Sequence, residues 1–332
     1  MKYGLLTYDE FDQYGGQNIG DYVQSLAARQ FLPKGEKIVY LKRDHLNSYD
    51  GEELKLIMNG WFSHIPENFL PSDKIQTLFI AFHLNSTAKD EILTPRNIDY
   101  LKKNAPIGCR DKYTENLLKE KGIDSYFSGC LTLTLGNTYK VNEKTNKVYF
   151  IDPYIGTKVS KLKMLKAMIK TIKHSALLKS IQKKMICKKG IKGYILSVLF
   201  YEQYSKVFKE DLLENAEYLH NQFHCNNDID YFNAAEDLIY KYASAKLVIT
   251  SRIHAALPCT GLETPVIFVN NINDTEVSTC RFDGLIQLLN VMNHDGKKLL
   301  PTFNFNDIKI KKDYESLAFK MSERCKSFIL LD

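Results

Sequence analysis

The chain has no run of eighteen apolar residues, which excludes a membrane-spanning helix. Its start, MKYGLLTYDE, has no basic stretch followed by a long apolar one, so no secretory signal peptide is expected. No CxxC occurs among seven scattered cysteines (109, 130, 187, 225, 259, 280 and 325). Their odd number and spacing argue against a disulfide framework. They suit free thiols packed as small apolar residues in a reducing, cytoplasmic compartment. Neither GxGxxG nor a Walker loop is present, so the nucleotide signal is weak. Internal repeats and low-complexity linkers are also missing. Acid is missing from one long stretch, with none between Asp152 and Glu202.

What is there is a soluble globular composition, 44% apolar and 25% charged over 332 residues. That length suits two domains of roughly 150 residues each. Twelve lysines between Lys158 and Lys192 supply +12 of a net charge of +6, leaving the rest of the chain near −6. So local a basic patch points to a partner. Within residues 159–194, Leu162, Leu165, Ile169, Ile172 and Leu178 fall near one helical face, with lysines elsewhere. Two readings stay open. The segment is an interfacial helix on anionic lipid at the inner face of a membrane, or it covers the core with a solvated lysine face. Lysine without arginine or interleaved aromatics reads bases poorly, so no nucleic-acid partner is expected.

Strand-like and helix-like segments alternate. Strands are predicted at 3–8, 37–41, 54–59, 76–82, 106–110, 125–127, 147–151, 247–249 and 265–269. Helices are predicted at 22–31, 98–103, 112–121, 204–221, 231–242, 284–292 and 315–330, with a basic helical insertion at 158–194. This alternation implies α/β architecture, two doubly wound, Rossmann-like domains with mostly parallel sheets. The expected division is 1–140 and 141–305, with 306–332 a final helix able to pack back on the first domain.

Such sheets bind ligands at the carboxyl ends of their strands. Arg252 and His254 follow the strand at 247–249. An arginine there can grip a carboxylate or phosphate with a forked pair of charged hydrogen bonds, and the next helix's N–H groups add to an anion site. A histidine there can give and take a proton. Pro258 keeps that helix short or kinked. The plainer reading has Arg252 at the surface and His254 satisfied at a helix start. Arg110 stands at another strand end, as an anion ligand or in a surface pair with Glu115; Asp111 is read as a helix cap. The glycine-rich turn at 15–21 lets a ligand approach the backbone. Asn18 and Asp21 there suit hydroxyls, although Asp21 serves equally as a cap. Trp61 and His64, after a strand, suit stacking on a sugar ring or simple loop packing. His224 is a weaker candidate for the cleft. His220, His224 and Cys225 have helix-like metal spacing but no evident fourth ligand, so no metal is expected.

Three blocks, GGQNIGDYVQSLA, GCRDKYTENLLKEKGIDSYFSGCLTLTL and YASAKLVITSRIHAALPCTGLETPVIFV, together resemble the polysaccharide pyruvyl transferase family. The resemblance implies a fold similar to two-domain GT-B glycosyltransferases with an interdomain cleft. It implies transfer of the enolpyruvyl group of phosphoenolpyruvate to sugar hydroxyls, leaving a pyruvate ketal in a cell-surface polysaccharide. It places Arg252, His254 and the adjoining Ser251 and Ile253 at the donor, with His254 as acid or base and Arg110 beside them. Asn18 and Asp21 match the motif facing the acceptor, a sugar or lipid-linked glycan, and no cofactor is implied. The family's Gly-Gly-Gly stretch is replaced by Met58-Asn59-Gly60-Trp61-Phe62-Ser63-His64, which bears on acceptor choice. A nucleotide-sugar glycosyltransferase and a non-catalytic glycan binder on the same fold are the alternatives.

Overall fold

The computed structural model describes residues 1–9, 16–302 and 308–331. Gly15 of the glycine-rich turn therefore lies outside the described residues, as do 303–307 near the expected boundary of the last helix.

The first six strands are β1 (Lys2–Thr7), β2 (Ile38–Lys42), β3 (Leu54–Trp61), β4 (Ile75–His83), β5 (Ile107–Cys109) and β6 (Ser125–Phe127). They form one parallel sheet in the order β2-β1-β3-β4-β5-β6. The second sheet holds β7 (Val148–Ile151), β8 (Glu217–Leu219), β9 (Leu247–Thr250), β10 (Val266–Asn271), β11 (Asn290–His294) and β12 (Leu299–Leu300). Its order is β8-β7-β9-β10-β11-β12, parallel except for the short edge strand β12. Both sheets therefore wind alike, reversing between β1 and β3 and between β7 and β9. At such a reversal the connections leave on opposite faces and open a crevice at the strands' carboxyl ends.

Continuous apolar strands require cover on both faces. Leu5, Leu6, Phe79, Ile80, Val248, Ile249, Ile267 and Phe268 are all buried. The longer helices that bury them are α1 (Ile19–Arg29), α2 (Pro95–Lys103), α3 (Lys112–Glu120), α4 (Lys161–Lys170), α5 (Ser175–Ile181), α6 (Gly190–Tyr204), α7 (Asp228–Ser244), α8 (Ile253–Gly261) and α9 (Tyr314–Leu330). Local contacts tie the two halves together. Gln17–Asn18 pairs antiparallel with Gln222–Phe223. Tyr22 donates to Asp228 at 2.6 Å and stacks on Tyr231. The last helix, α9, reaches back to the first sheet, where Arg324 lies over the Tyr126 ring and Lys55 donates to the carbonyl of Leu331.

Three expected elements differ. The first helix begins at Ile19, three residues earlier than predicted, because Asn18 rather than Asp21 caps it, accepting from Gly20 N–H at 3.2 Å. No single helix spans 204–221; α6 ends at Tyr204, a short α-helix covers only Glu210–Asn215, and Tyr218 enters β8 to stack on Phe150. Residues 284–292 form no α-helix either: Gly284 has a left-handed φ of +80°, a single 3₁₀ turn covers Ile286–Leu288, and Asn290–His294 pairs with β10. In the basic segment only Leu178 of the five predicted face residues is buried; α4 packs through Ala167, Met164 and Met168 instead. Among the described residues, no helix is long and apolar enough to cross a membrane.

Candidate functional site

Both sheet reversals open on one cavity of about 600 Å³. Its walls carry Arg252, His254, Ser251, Ile253, Arg110, Asn18, Asp21, Trp61 and His64. Nine side chains singled out from separate parts of the sequence thus meet around one space. His224 is not among the lining residues; its ring lies instead against Gly16.

The strand β9 delivers the first group. Thr250 Oγ1 accepts from Arg252 N–H at 2.9 Å and turns the chain out of the sheet. The Ser251 hydroxyl clasps two backbones, donating to Val269 O at 2.6 Å and accepting from Tyr154 N–H at 2.7 Å. Arg252 projects with 45% of its side chain exposed, its Nε 3.0 Å from Asp152. Asp152 itself follows β7 in the left-handed region, φ +40°, a conformation Asp tolerates better than most residues. Ile253 and His254 open α8, where the N–H groups have no intrahelical partner.

The strands β4 and β5 deliver the second group. Arg110 is buried, not at the surface, and Glu115 pairs with Lys119 instead. Its NH1 lies 3.4 Å from His254 Nε2. Its Nε is 3.7 Å from Asp111 and has no hydrogen-bond partner among the described residues. Asp111 has two jobs. One oxygen caps α3, accepting from Thr114 N–H at 2.9 Å; the other lies 2.7 Å from Nδ1 of His83. A carboxylate on Nδ1 favours the tautomer with the proton there and leaves Nε2 as the free base. Arg281 completes this end of the cavity.

Charge follows from that crowding. Burial, then Arg110, Arg281 and His83, holds His254 well below the ordinary imidazole value of 6.5. Burial and Arg110 bring His83 down to about 4, against the pull of Asp111. Burial works to raise the Asp111 carboxyl, but His83 and Arg110 hold it below the usual range. Burial, then Arg110 and Arg252, lowers Arg281. Three guanidiniums and two neutral imidazoles therefore share one wall, with the carboxylates of Asp152 and Asp111 beside Arg252 and Arg110.

The opposite wall is mixed in sign. Arg43 is buried between Asp44, at 3.0 Å, and Asp21, at 4.0 Å, with its guanidinium over the Tyr8 and Trp61 rings. Burial raises Asp21 despite Arg43 and Arg110. Trp61 is the last residue of β3 rather than a loop residue; its ring centroid is 4.3 Å from that of His64, and its indole N–H has no partner among the described residues. Burial, then Arg43, brings His64 to about 4. Gln24 joins the walls, its Nε2 3.3 Å from Asp21 and 3.4 Å from His254 Nδ1. The Asn18 side-chain oxygen is engaged by Gly20 N–H and by Asn221 Nδ2 at 2.8 Å. Gly20 serves His254 directly: a Cβ at residue 20 would stand 2.7 Å from that of His254.

His83, Arg43, Asp152 and Arg281 were missed by sequence reasoning. The first three stand at or just beyond the carboxyl ends of β4, β2 and β7, the same signal that singled out Arg252 and Arg110. Arg281 follows no strand, and nothing local marks it.

The family model described as polysaccharide pyruvyl transferase matches residues 18–273. No curated protein matches. A crystal structure of an uncharacterized protein from Klebsiella pneumoniae is similar at 13% identity, covering 85% of this chain and 88% of that one with a TM-score of 0.44.

Proposed function

Because the chain belongs to the polysaccharide pyruvyl transferase family, we propose that it transfers the enolpyruvyl group of phosphoenolpyruvate to sugar hydroxyls, forming a pyruvate ketal on a cell-surface polysaccharide or its precursor. In this reading the two sheets belong to two Rossmann-like domains, 1–140 and 141–305, set as in GT-B enzymes with the cavity as their cleft and residues 306–332 as a closing helix. The observation that carries the proposal is the wall of Arg110, Arg252 and Arg281 with His254 and His83 between them.

Phosphoenolpyruvate brings roughly three negative charges near neutral pH. Forked guanidiniums and the start of α8 suit its phosphate and carboxylate. The same anion offsets the charges that keep the imidazoles neutral, so their affinity for protons rises as it binds. One imidazolium then protonates the methylene carbon, and C2 becomes oxocarbenium-like. A sugar hydroxyl attacks C2, and its proton passes to a free imidazole nitrogen. The C2–O bond to phosphate breaks, inorganic phosphate leaves, and a second hydroxyl closes the ketal with loss of its own proton. We assign His254 as the first candidate for proton delivery and His83, held by Asp111, as a base. Positioned proton transfer of this kind is worth roughly 10²–10⁴-fold. Asp21, Trp61 and His64 face the acceptor in this reading, with the indole for a sugar face.

Incubation with phosphoenolpyruvate and a panel of oligosaccharides tests the proposal. Inorganic phosphate should appear together with a ketal methyl signal in the product's NMR spectrum. Release of a nucleoside diphosphate from a nucleotide sugar, with none of phosphate from phosphoenolpyruvate, would make the chain a glycosyltransferase instead. Tight donor binding with no product from any acceptor would mark a binding protein.

A further inference from the structure

We propose that α4 and its continuation to Ile172 form a docking face for an anionic lipid bilayer. The inference stands apart from the donor chemistry and rests on what α4 exposes. Leu162, Leu165, Ile169 and Ile172 are 65%, 56%, 61% and 64% exposed. Their spacing of three, four and three residues puts them on one stripe of the helix. The helix is nevertheless fixed to the body. Ala167 and Thr171 are buried beneath it, and Met164 and Met168 pack on the cluster of Leu178, Ile181 and Val198. The apolar stripe is therefore directed outward by a helix whose other side is already packed.

Lysines 158, 161, 163, 166, 170 and 173 flank that stripe. Only Lys170 and Lys173 among them pair with a described carboxylate, Glu202 at 3.5 Å and Glu210 at 3.4 Å, and the segment contains no acid of its own. An apolar strip edged by free cations matches a surface that is anionic outside and apolar just beneath. It does not match nucleic acid, which has no use for the strip. It does not match a second copy, which would set like-charged lysine rims against each other. The chain from β7 to α4 passes through Tyr154, a residue of the cavity wall.

The test is co-sedimentation of the full chain with phosphatidylcholine vesicles, with and without phosphatidylglycerol, at low and high salt. Binding should require the anionic lipid and weaken with salt. Each lysine near the surface is worth about fivefold in partition, so the neutralising triple variant K161Q/K163Q/K166Q should lose about a hundredfold. L165S/I169S should lose at least tenfold, with thermal stability and phosphoenolpyruvate binding unchanged in both variants. Failure to bind anionic vesicles at low salt overturns the proposal, as does binding that neither variant alters. A dimer in solution that L165S/I169S dissociates, without vesicle binding, assigns the stripe to a second copy and also overturns it.

Discussion

Arg110 NH1 lies 3.4 Å from Nε2 of His254, two side chains separated by 144 positions in sequence. A permanent cation against an imidazole keeps that imidazole neutral until something negative arrives. On the proposed function the contact couples donor binding to proton affinity, and several outcomes follow from it.

Arg110→Lys keeps a charge but loses the planar fork. Hydrogen bonds to charged groups contribute about 1.5–3 kcal/mol, so the dissociation constant for phosphoenolpyruvate should rise by roughly 10- to 150-fold. Arg252→Gln should weaken binding comparably and leave the melting temperature nearly unchanged, because that side chain is 45% exposed. Calorimetric titration measures both. Unaltered affinity in either variant removes that arginine from the donor site.

Phosphoenolpyruvate binding should take up protons near pH 6.5. The sign follows from the imidazoles: His83 is held at about 4 and His254 well below 6.5, and an anion among the guanidiniums raises both. A group whose affinity for protons rises on binding gains protons. Titrations in buffers of different ionisation enthalpy count them directly. Zero uptake, or release, contradicts the coupling.

His254→Gln should lower turnover by roughly 10²–10⁴-fold if that imidazole moves the proton. His83→Gln should lower it as well and shift a limb of the pH–rate profile, while donor affinity changes little. A profile and turnover like the parent's in either variant would strip that residue of its role.

Acid should unfold the protein through the same groups. His64 and His83 titrate at about 4 when folded, against 6.5 ordinarily. Between those values the unfolded chain binds more protons, so the stability they contribute is full above about pH 6.5 and falls as pH drops toward 4. For buried His83 the loss is on the order of 3 kcal/mol. Melting temperature against pH shows it, and His83→Gln should flatten part of the slope. A stability independent of pH across this window would refute the assignment.

Gly20→Ala isolates a packing relationship. Alanine normally favours a helix over glycine by about 1 kcal/mol. Here the added methyl would meet His254 Cβ at 2.7 Å. The helix or the imidazole must shift, so turnover should fall at least tenfold without any gain in melting temperature. An active, more stable Gly20→Ala protein would show that the imidazole's placement is not critical.

Much of this was legible because parallel strands are read end to end. Leu247–Thr250 is an apolar run, so whatever follows it sits at a carboxyl edge; that logic found Arg252, His254 and Arg110. It was not carried to His83, Arg43 and Asp152, although the predicted ends of β2 and β4 fall only one residue short and that of β7 falls where the strand ends. Residues 204–221 and 284–292 misled because apolar spacing in short stretches fits a helix as well as buried turns and strands. Tyr218 stacks on Phe150, a partner 68 positions away that local periodicity does not reveal. The glycines of the N-terminal turn suggested room for a ligand; Gly20 instead makes room for His254. Leu162, Leu165 and Ile169 of α4, with Ile172 just beyond it, formed the exposed stripe, yet the pattern alone did not say that the methionines and Ala167 would take the inner side.

The most direct test of the central claim is a crystal structure with phosphoenolpyruvate bound. The donor should lie with its phosphate and carboxylate on the guanidiniums of Arg110, Arg252 and Arg281, and with its methylene carbon about 3–3.5 Å from a nitrogen of His254 or His83. A donor seated away from that wall, or one whose methylene carbon no imidazole reaches, would contradict the account.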